Sequence, residues 1–249
     1  MRPVSSRWRA RLAALPALAL LALAGAFVMR EGLAELLAIR ANERIAAWEA
    51  GAPMSPAQFE AAEQQILGAI RLSPANGDHR ESLGTAWFAR AMAPRRTLEG
   101  RLADFDRAVD AYRDATRRST VSGYAWGNLM LAKHYAGQID PEFSQALGNA
   151  ARFAPHEAPV QAMIVGAVLP RWVQLDAEAR RLAARTVARG WDAHRAVLLA
   201  EAGGAANRAL WCDPALWPPE EALAAAMRGL CEALNAKART EPGAAARAP

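Results

Sequence analysis

Residues able to do chemistry are few in this chain, and their spacing argues mostly against catalysis. The four histidines, His79, His134, His156 and His194, are spread one to a helical segment, so no metal-ligand set forms and they read as surface or turn histidines. His156-Glu157 opens like a zinc-protease helix, but Val160 stands where the second zinc ligand would be. A G-x-S-x-G elbow, a G-x-G-x-x-G turn and a P-loop are all absent from the sequence. Neither a catalytic residue, a metal nor a cofactor is expected.

Three groups of residues carry the remaining chemistry. Cys212 and Cys231 flank a Pro-rich stretch and are not in a C-x-x-C arrangement. In an oxidising compartment they are expected to form a disulfide, the alternative being two unrelated core residues. The segment Tyr124–Lys133 (YAWGNLMLAK) offers Trp126, Asn128 and Lys133 on one helix as candidate binding residues. Arg181, Arg185 and Arg189 recur every four residues, a basic stripe suited to an acidic partner or anionic glycan and equally to a solvated face.

The elements that must position these residues start with an anchor. Leu12–Met29 carries no charge and follows Arg2, Arg7, Arg9 and Arg11. Its length, about 27 Å as a helix, matches the bilayer hydrocarbon, and the basic start places residues 1–11 in the cytoplasm. An uncleaved single-pass inner-membrane anchor at 12–29 is the favoured reading, with cleavage after Ala26 as the alternative. Either way the body, 31–236, is exported to the periplasm, and 237–249 reads as a disordered tail. The 249 residues carry 30 Lys+Arg against 25 Asp+Glu and a sequence pI near 9.8. Most of that excess lies at the termini, so the body is close to neutral and nucleic acid is not an expected partner.

Apolar residues in the body recur at helical spacing and no stretch alternates with β-branched residues, so the fold class is all-α. On 104–118, Phe105, Ala108, Val109, Tyr112, Ala115 and Thr116 form one stripe. The opposite face, with Asp110–Arg113 and Asp114–Arg118 at pairing distance, reads as solvated. A spacing of small residue, bulky residue, Ala, then Pro or turn residue fits Ala62-Ile66-Ala69-Pro74 and Ala108-Tyr112-Ala115-Thr120. Phe143-Leu147-Ala150-Pro155 fits with Phe for the small residue, and Leu83, Gly84 and Trp87 supply a first-helix pattern. These resemble degenerate tetratricopeptide (TPR) repeats and imply a right-handed stack of antiparallel helical hairpins. That resemblance also implies a groove in which Asn and Lys side chains such as Asn128 and Lys133 hold the backbone or carboxylate of a bound peptide. The expected hairpins are 31–49 with 56–72, 77–91 with 104–118, 122–136 with 141–153, and 157–172 with 176–189. A less regular pair, 192–202 with 218–235, follows. Met92–Asp104 is an insertion, read as a long loop or an extension of the first helix.

A wider resemblance rests on WGNLMLAK at Trp126–Lys133, the order G-Q-x-D-x-E-F-x-x-A-L at Gly137–Leu147, A-P-H-E-x-x-V-Q at Ala154–Gln161, and W-x-x-L-D at Trp172–Asp176. In these it resembles the VpsP-type family of exopolysaccharide biosynthesis proteins. That resemblance implies a membrane-anchored periplasmic scaffold, binding other proteins of a polysaccharide assembly and export system, and supplies no catalytic residues. Alternatives are a periplasmic repeat module of cytochrome c maturation that binds a peptide, and an enzyme acting on polysaccharide, which would need convergent carboxylates in a cleft.

Overall fold

The computed structural model describes residues 6–240, with side chains from Leu15 to Arg239. All regular structure among them is helical. Residues 1–5 and 241–249, with Arg2 of the basic N-terminus and most of the expected tail, lie outside the described residues.

The first element, α1 (Ser6–Glu49), is one continuous helix of 44 residues. Expected as an anchor followed by a separate helix from residue 31, the two are a single rod. Nothing at the junction stops it: Arg30, Glu31, Leu33 and Ala34 are good helix formers and Gly32 stands alone among them. Its N-terminal half is apolar and exposed, long enough to cross a membrane. Its C-terminal half buries Ala34, Ala38, Ala41 and Ile45 against the rest of the domain.

A turn containing Gly51 at φ 90° leads to α2 (Pro56–Leu72), α3 (Gly77–Met92) and α4 (Leu98–Arg118). Then come α5 (Gly123–Tyr135), α6 (Pro141–Phe153), α7 (Ala158–Val168) with a 3-10 extension over Leu169–Gln174, and α8 (Ala177–Gly190). The chain ends through α9 (Arg195–Gly204), a short α10 (Arg208–Trp211), a 3-10 turn at Pro214–Leu216 and α11 (Glu221–Thr240). The last helix runs past 236, where the tail was expected to begin. The start points are written in cap residues. Ser55, Asn76, Thr97, Ser122, Asp140 and Asp176 each accept a hydrogen bond from a first-turn N–H, and Ser55 with Gln58 completes a capping box.

The Met92–Asp104 insertion is neither a long loop nor an extension of the first helix: it lengthens the second. Thr97 caps α4 six residues earlier than expected. The extra turn brings Asp104, 1% exposed, between Arg90 of α3 and Arg96 of the α3–α4 turn. Arg90 also lies over the rings of Phe59 (4.1 Å) and Trp87 (4.0 Å), tying α2, α3 and α4 together.

Helices adjacent in the chain pack on one another, α1 with α2, α3 with α4, α5 with α6 and α7 with α8, and α3 and α5 also meet the preceding pairs through α2 and α4. The stripe positions Ala62, Ile66, Ala69, Ala108, Tyr112, Ala115, Phe143, Leu147 and Ala150 are all buried. Close approach depends on missing side chains: a Cβ at Gly123 would lie 2.3 Å from the Ala154 Cβ. The charged face of α4 is not simply solvated. Asp110 pairs with Arg113, but Asp114 pairs with Arg80 on α3 instead of Arg118, and Arg113 reaches Glu142 on α6 at 2.7 Å. Asp114 and Arg113 reach other helices because α4 packs between α3 and the α5–α6 pair, while Asp110 stays exposed and pairs within α4.

At the C-terminal end, Cys212 and Cys231 form a disulfide, with Cα atoms 5.9 Å apart. It clips the α10 end to α11. Tryptophans complete this cap: the indole of Trp172 donates to the Leu216 carbonyl, Trp211 to Ala206 and Trp217 to Trp211. Trp172 and Trp211 are fully buried.

Candidate functional site

The three residues expected to share a groove on α5 are pulled to different tasks. Trp126 donates its indole N–H to the Thr120 carbonyl (2.9 Å) and packs against the core. Asn128 donates to Glu81 Oε1 on α3 at 2.8 Å, bridging two first helices. Lys133 is not available to a ligand. Its side chain is 1% exposed and its Nζ donates to Gln138, to Asp140 at 2.9 Å and to Glu142 at 2.7 Å. Five residues of helix put Asn128 and Lys133 about 140° apart, so they cannot face one partner. Lys133 instead holds the α5–α6 turn against Asp140, which caps α6. The Arg113 guanidinium, and then Lys133, hold the Glu142 carboxyl down at about 2.

The basic stripe on α8 also divides. Arg181 is bound to Glu178 and, at 2.7 Å, to Glu220. Arg185 is half-buried, and Arg189 alone is exposed at the helix end. The histidines differ from expectation as well: His79 and His134 are buried, because each sits on the packed side of a first helix. His134 is 3.5 Å from Arg171, and burial and that cation lower its pKa to about 4. His194 meets Gln161 at 2.8 Å, and His156 is exposed. Among the described residues no three His, Cys, Asp or Glu side chains are placed to hold a metal ion.

Two hollows form between first helices instead. One of about 340 Å³ lies between α1 and α3, lined by Asn42, Glu49, Asp78, Glu81, Ser82 and Thr85 among others. Burial raises the pKa of both Glu49 and Glu81, and the Asp78 carboxylate pushes Glu81 further. Behind Thr85 stands the fully buried Tyr112, whose hydroxyl donates to Thr85 Oγ1 at 3.0 Å. Burial, with Glu81 and Glu49 adding to it, raises the Tyr112 pKa well above its usual range. Gly84 makes room for that ring, since a Cβ there would lie 2.7 Å from it.

The second hollow, about 510 Å³, lies between α5, α7 and α9 and includes His134, Tyr135, Met163, Gly166, Pro170 and Glu201. Burial raises the Glu201 carboxyl, which lies against Gly166 where a Cβ would be 3.0 Å from Oε2. The lining of each hollow contains no Lys or Arg. The first hollow therefore offers carboxyl groups with the Asn42 amide and the Ser82 and Thr85 hydroxyls, and the second a carboxyl, an imidazole and a phenol. The carboxylates accept hydrogen bonds from cationic or N–H donors, and no cationic side chain lines either hollow in the place expected for Lys133.

Sequence reasoning missed Glu49, Asp78, Glu81 and Glu201. A signal was available for the α3 pair alone: Asp78, Glu81 and Thr85 follow helical spacing on the α3 face away from the buried Ala86 and Trp87. It was obscured because exposed acids look alike until the neighbouring helix is placed. No protein-family model matches this chain, and no curated protein or solved structure is significantly similar to it, so the VpsP-type and tetratricopeptide resemblances rest on the residues quoted above.

Proposed function

We propose that this chain is a single-pass inner-membrane protein whose periplasmic domain is a TPR-like solenoid acting as a binding scaffold. In this reading the two hollows, joined by the Asn128–Glu81 bridge, belong to one concave groove lined by α1, α3, α5, α7 and α9. The observation that carries it is the rod-like α1: its apolar half suits a membrane and its other half is the first wall of the groove. An anchored groove raises the local concentration of whatever it binds near membrane-embedded partners. The resemblance to the VpsP-type family gives the pathway, exopolysaccharide assembly and export, and makes its other proteins the partners.

A polysaccharide-acting enzyme is the second reading, favoured by one observation. Glu49, Asp78 and Glu81 line one hollow, and two of them have raised pKa values, as a general acid requires. Against it, Asn128 already occupies Glu81 Oε1. The cytochrome c maturation reading needs a peptide-gripping groove at Asn128, whose amide is engaged by Glu81 at 2.8 Å.

The test is secreted polysaccharide in a deletion strain, complemented by the intact gene or by a copy lacking residues 1–30 but carrying a cleavable signal. The truncation keeps Ala34–Ile45 and with them the first hairpin. Loss of polysaccharide restored only by the anchored copy supports the scaffold, while unchanged polysaccharide refutes the pathway. A Glu81→Gln copy that restores export but abolishes depolymerisation of the secreted polymer would favour the enzyme.

A further inference from the structure

Among the described residues, one face of α1 packs on the domain and the opposite face is exposed. Ala34, Ala38, Ala41 and Ile45 are buried against α2 and α3. On the opposite side, Ala22, Gly25, Met29, Gly32, Leu36 and Ile39 recur at alternating spacings of three and four residues. At about 100° per residue, Leu36 lies about 200° from Ala34 and Ile39 about 200° from Ala41, so this seam points directly away from the domain. Leu36 is 62% and Ile39 51% exposed, and nothing stands within 4 Å of where a Cβ at Gly25 or Gly32 would be.

Lipid accounts for the seam only as far as Met29. Arg30 and Glu31 mark the end of the uncharged run. Leu36 and Ile39 lie about 9 and 14 Å further along the helix, whereas the headgroup layer is only about 5–7 Å deep on each side. A three-four apolar spacing over two and a half heptads is the pattern of a left-handed two-helix coil, and small residues within it allow the backbones to approach in the membrane.

Charge sets which occupant fits. Glu35 precedes Leu36 on one flank of the seam, and Arg40 follows Ile39 on the other. In a parallel pair, these are the positions that meet across the interface, Glu35 of one chain against Arg40 of the second. Arg40 is exposed and has no ion pair within its own chain among the described residues, whereas Glu35, also exposed, accepts from the Asn76 amide at 3.3 Å and lies 3.7 Å from His79, so a cross-chain pair would share or replace those contacts. Two copies inserted in one membrane with the same topology are necessarily parallel.

We infer that α1 pairs with α1 of a second copy along Ala22–Ile39, so that two domains stand on one two-stranded stalk. This rests on α1 crossing the membrane, and on neither the groove nor the pathway. The chain's two cysteines are paired with each other, so a third, introduced singly, reports proximity cleanly. Full-length Leu36→Cys, Ile39→Cys and, as an off-seam control, Arg30→Cys are oxidised in intact membranes and run on non-reducing gels. Leu36→Cys and Ile39→Cys should give dimers at least fivefold more abundant than Arg30→Cys. Glu35→Arg and Arg40→Glu, each placed in the Ile39→Cys background, should reduce the dimer severalfold, and the combined exchange should restore it. Equal yields at all three positions, monomer throughout, or adducts of a mass other than twice the chain overturn the pairing. Carbonate extraction of the same membranes separates the readings: a chain that leaves the membrane refutes the span and the stalk together, while one that stays but does not cross-link refutes the stalk alone.

Discussion

Lys133→Met tests whether the cation of α5 is a structural pin. The substitution keeps the length and apolar stem and removes three donated hydrogen bonds, to Gln138, Asp140 and Glu142. Removing one partner of a buried ion pair costs about 3–5 kcal/mol when the remaining charge is fully uncompensated. Here the carboxylates left behind are partly hydrated, Glu142 at 29% and Asp140 at 45% exposure, and Glu142 keeps Arg113. That lowers the expected loss to about 2 kcal/mol, or a melting temperature lower by about 4–8 °C for a domain of this size. The assay is thermal unfolding of the full chain in detergent followed by circular dichroism, at pH 7 and across acid pH. Glu142 falls from an ordinary 4.5 to about 2, so its contribution is complete above 4.5 and is lost as pH falls from there toward 2. Fully counted, that depression is worth about 3 kcal/mol; water reaching a carboxylate that is 29% exposed reduces it to about 1–2. In Lys133→Met the Glu142 pKa moves back up and this acid-dependent part shrinks. A variant melting within 1 °C of the parent while losing partner capture would refute the pin and return Lys133 to ligand binding.

Gly84→Ala drives a methyl group into the Tyr112 ring and should cost about 1–3 kcal/mol in denaturant unfolding, more than an ordinary Gly→Ala change in a helix, which stabilises. Reducing the Cys212–Cys231 disulfide opens a link of sequence separation 19 and should lower stability by about 3 kcal/mol, with protease sensitivity rising first around α10 and α11. His134, held near 4 by burial and Arg171, should remain neutral in an NMR titration down to about pH 5. Its folded pKa lies below the unfolded value, so its contribution is complete above about 6.5 and is lost as pH falls from there toward 4. Asn128→Ala leaves Glu81 without its amide donor and should raise the Glu81 pKa further at a cost of about 1 kcal/mol, seen as a shifted carboxyl resonance.

Helix positions were legible because two local signals agree, the apolar stripe and the cap. Pro141–Phe153 lies where Asp140, Pro141 and the Phe143-Leu147-Ala150 spacing put it. Where only one signal was read, the boundary slipped: Thr97 was passed over and α4 began six residues early. The disulfide was legible from two cysteines flanking one Pro-rich stretch together with the expectation that the body is exported. Side-chain roles were not, since they depend on which helix arrives opposite. Lys133 and Asn128 look equally free in sequence, yet one meets Asp140 and Glu142 across a turn and the other meets Glu81 across two helices. The carboxylates of the first hollow come from α1 and α3, separated in sequence by all of α2, and no local pattern joins them.

With α1 inserted as proposed, its unbroken course makes the domain a pointer on a stiff lever with no swivel at the membrane surface. From Met29 to Glu49 the helix advances about 30 Å, so a tilt of about 20°, the common value for membrane helices, carries the first hollow sideways by about 10 Å. Bilayer thickness, which sets that tilt, thereby sets where the domain can reach, and inserting a few glycines after Arg30 would cut that dependence while leaving every contact of the domain in place.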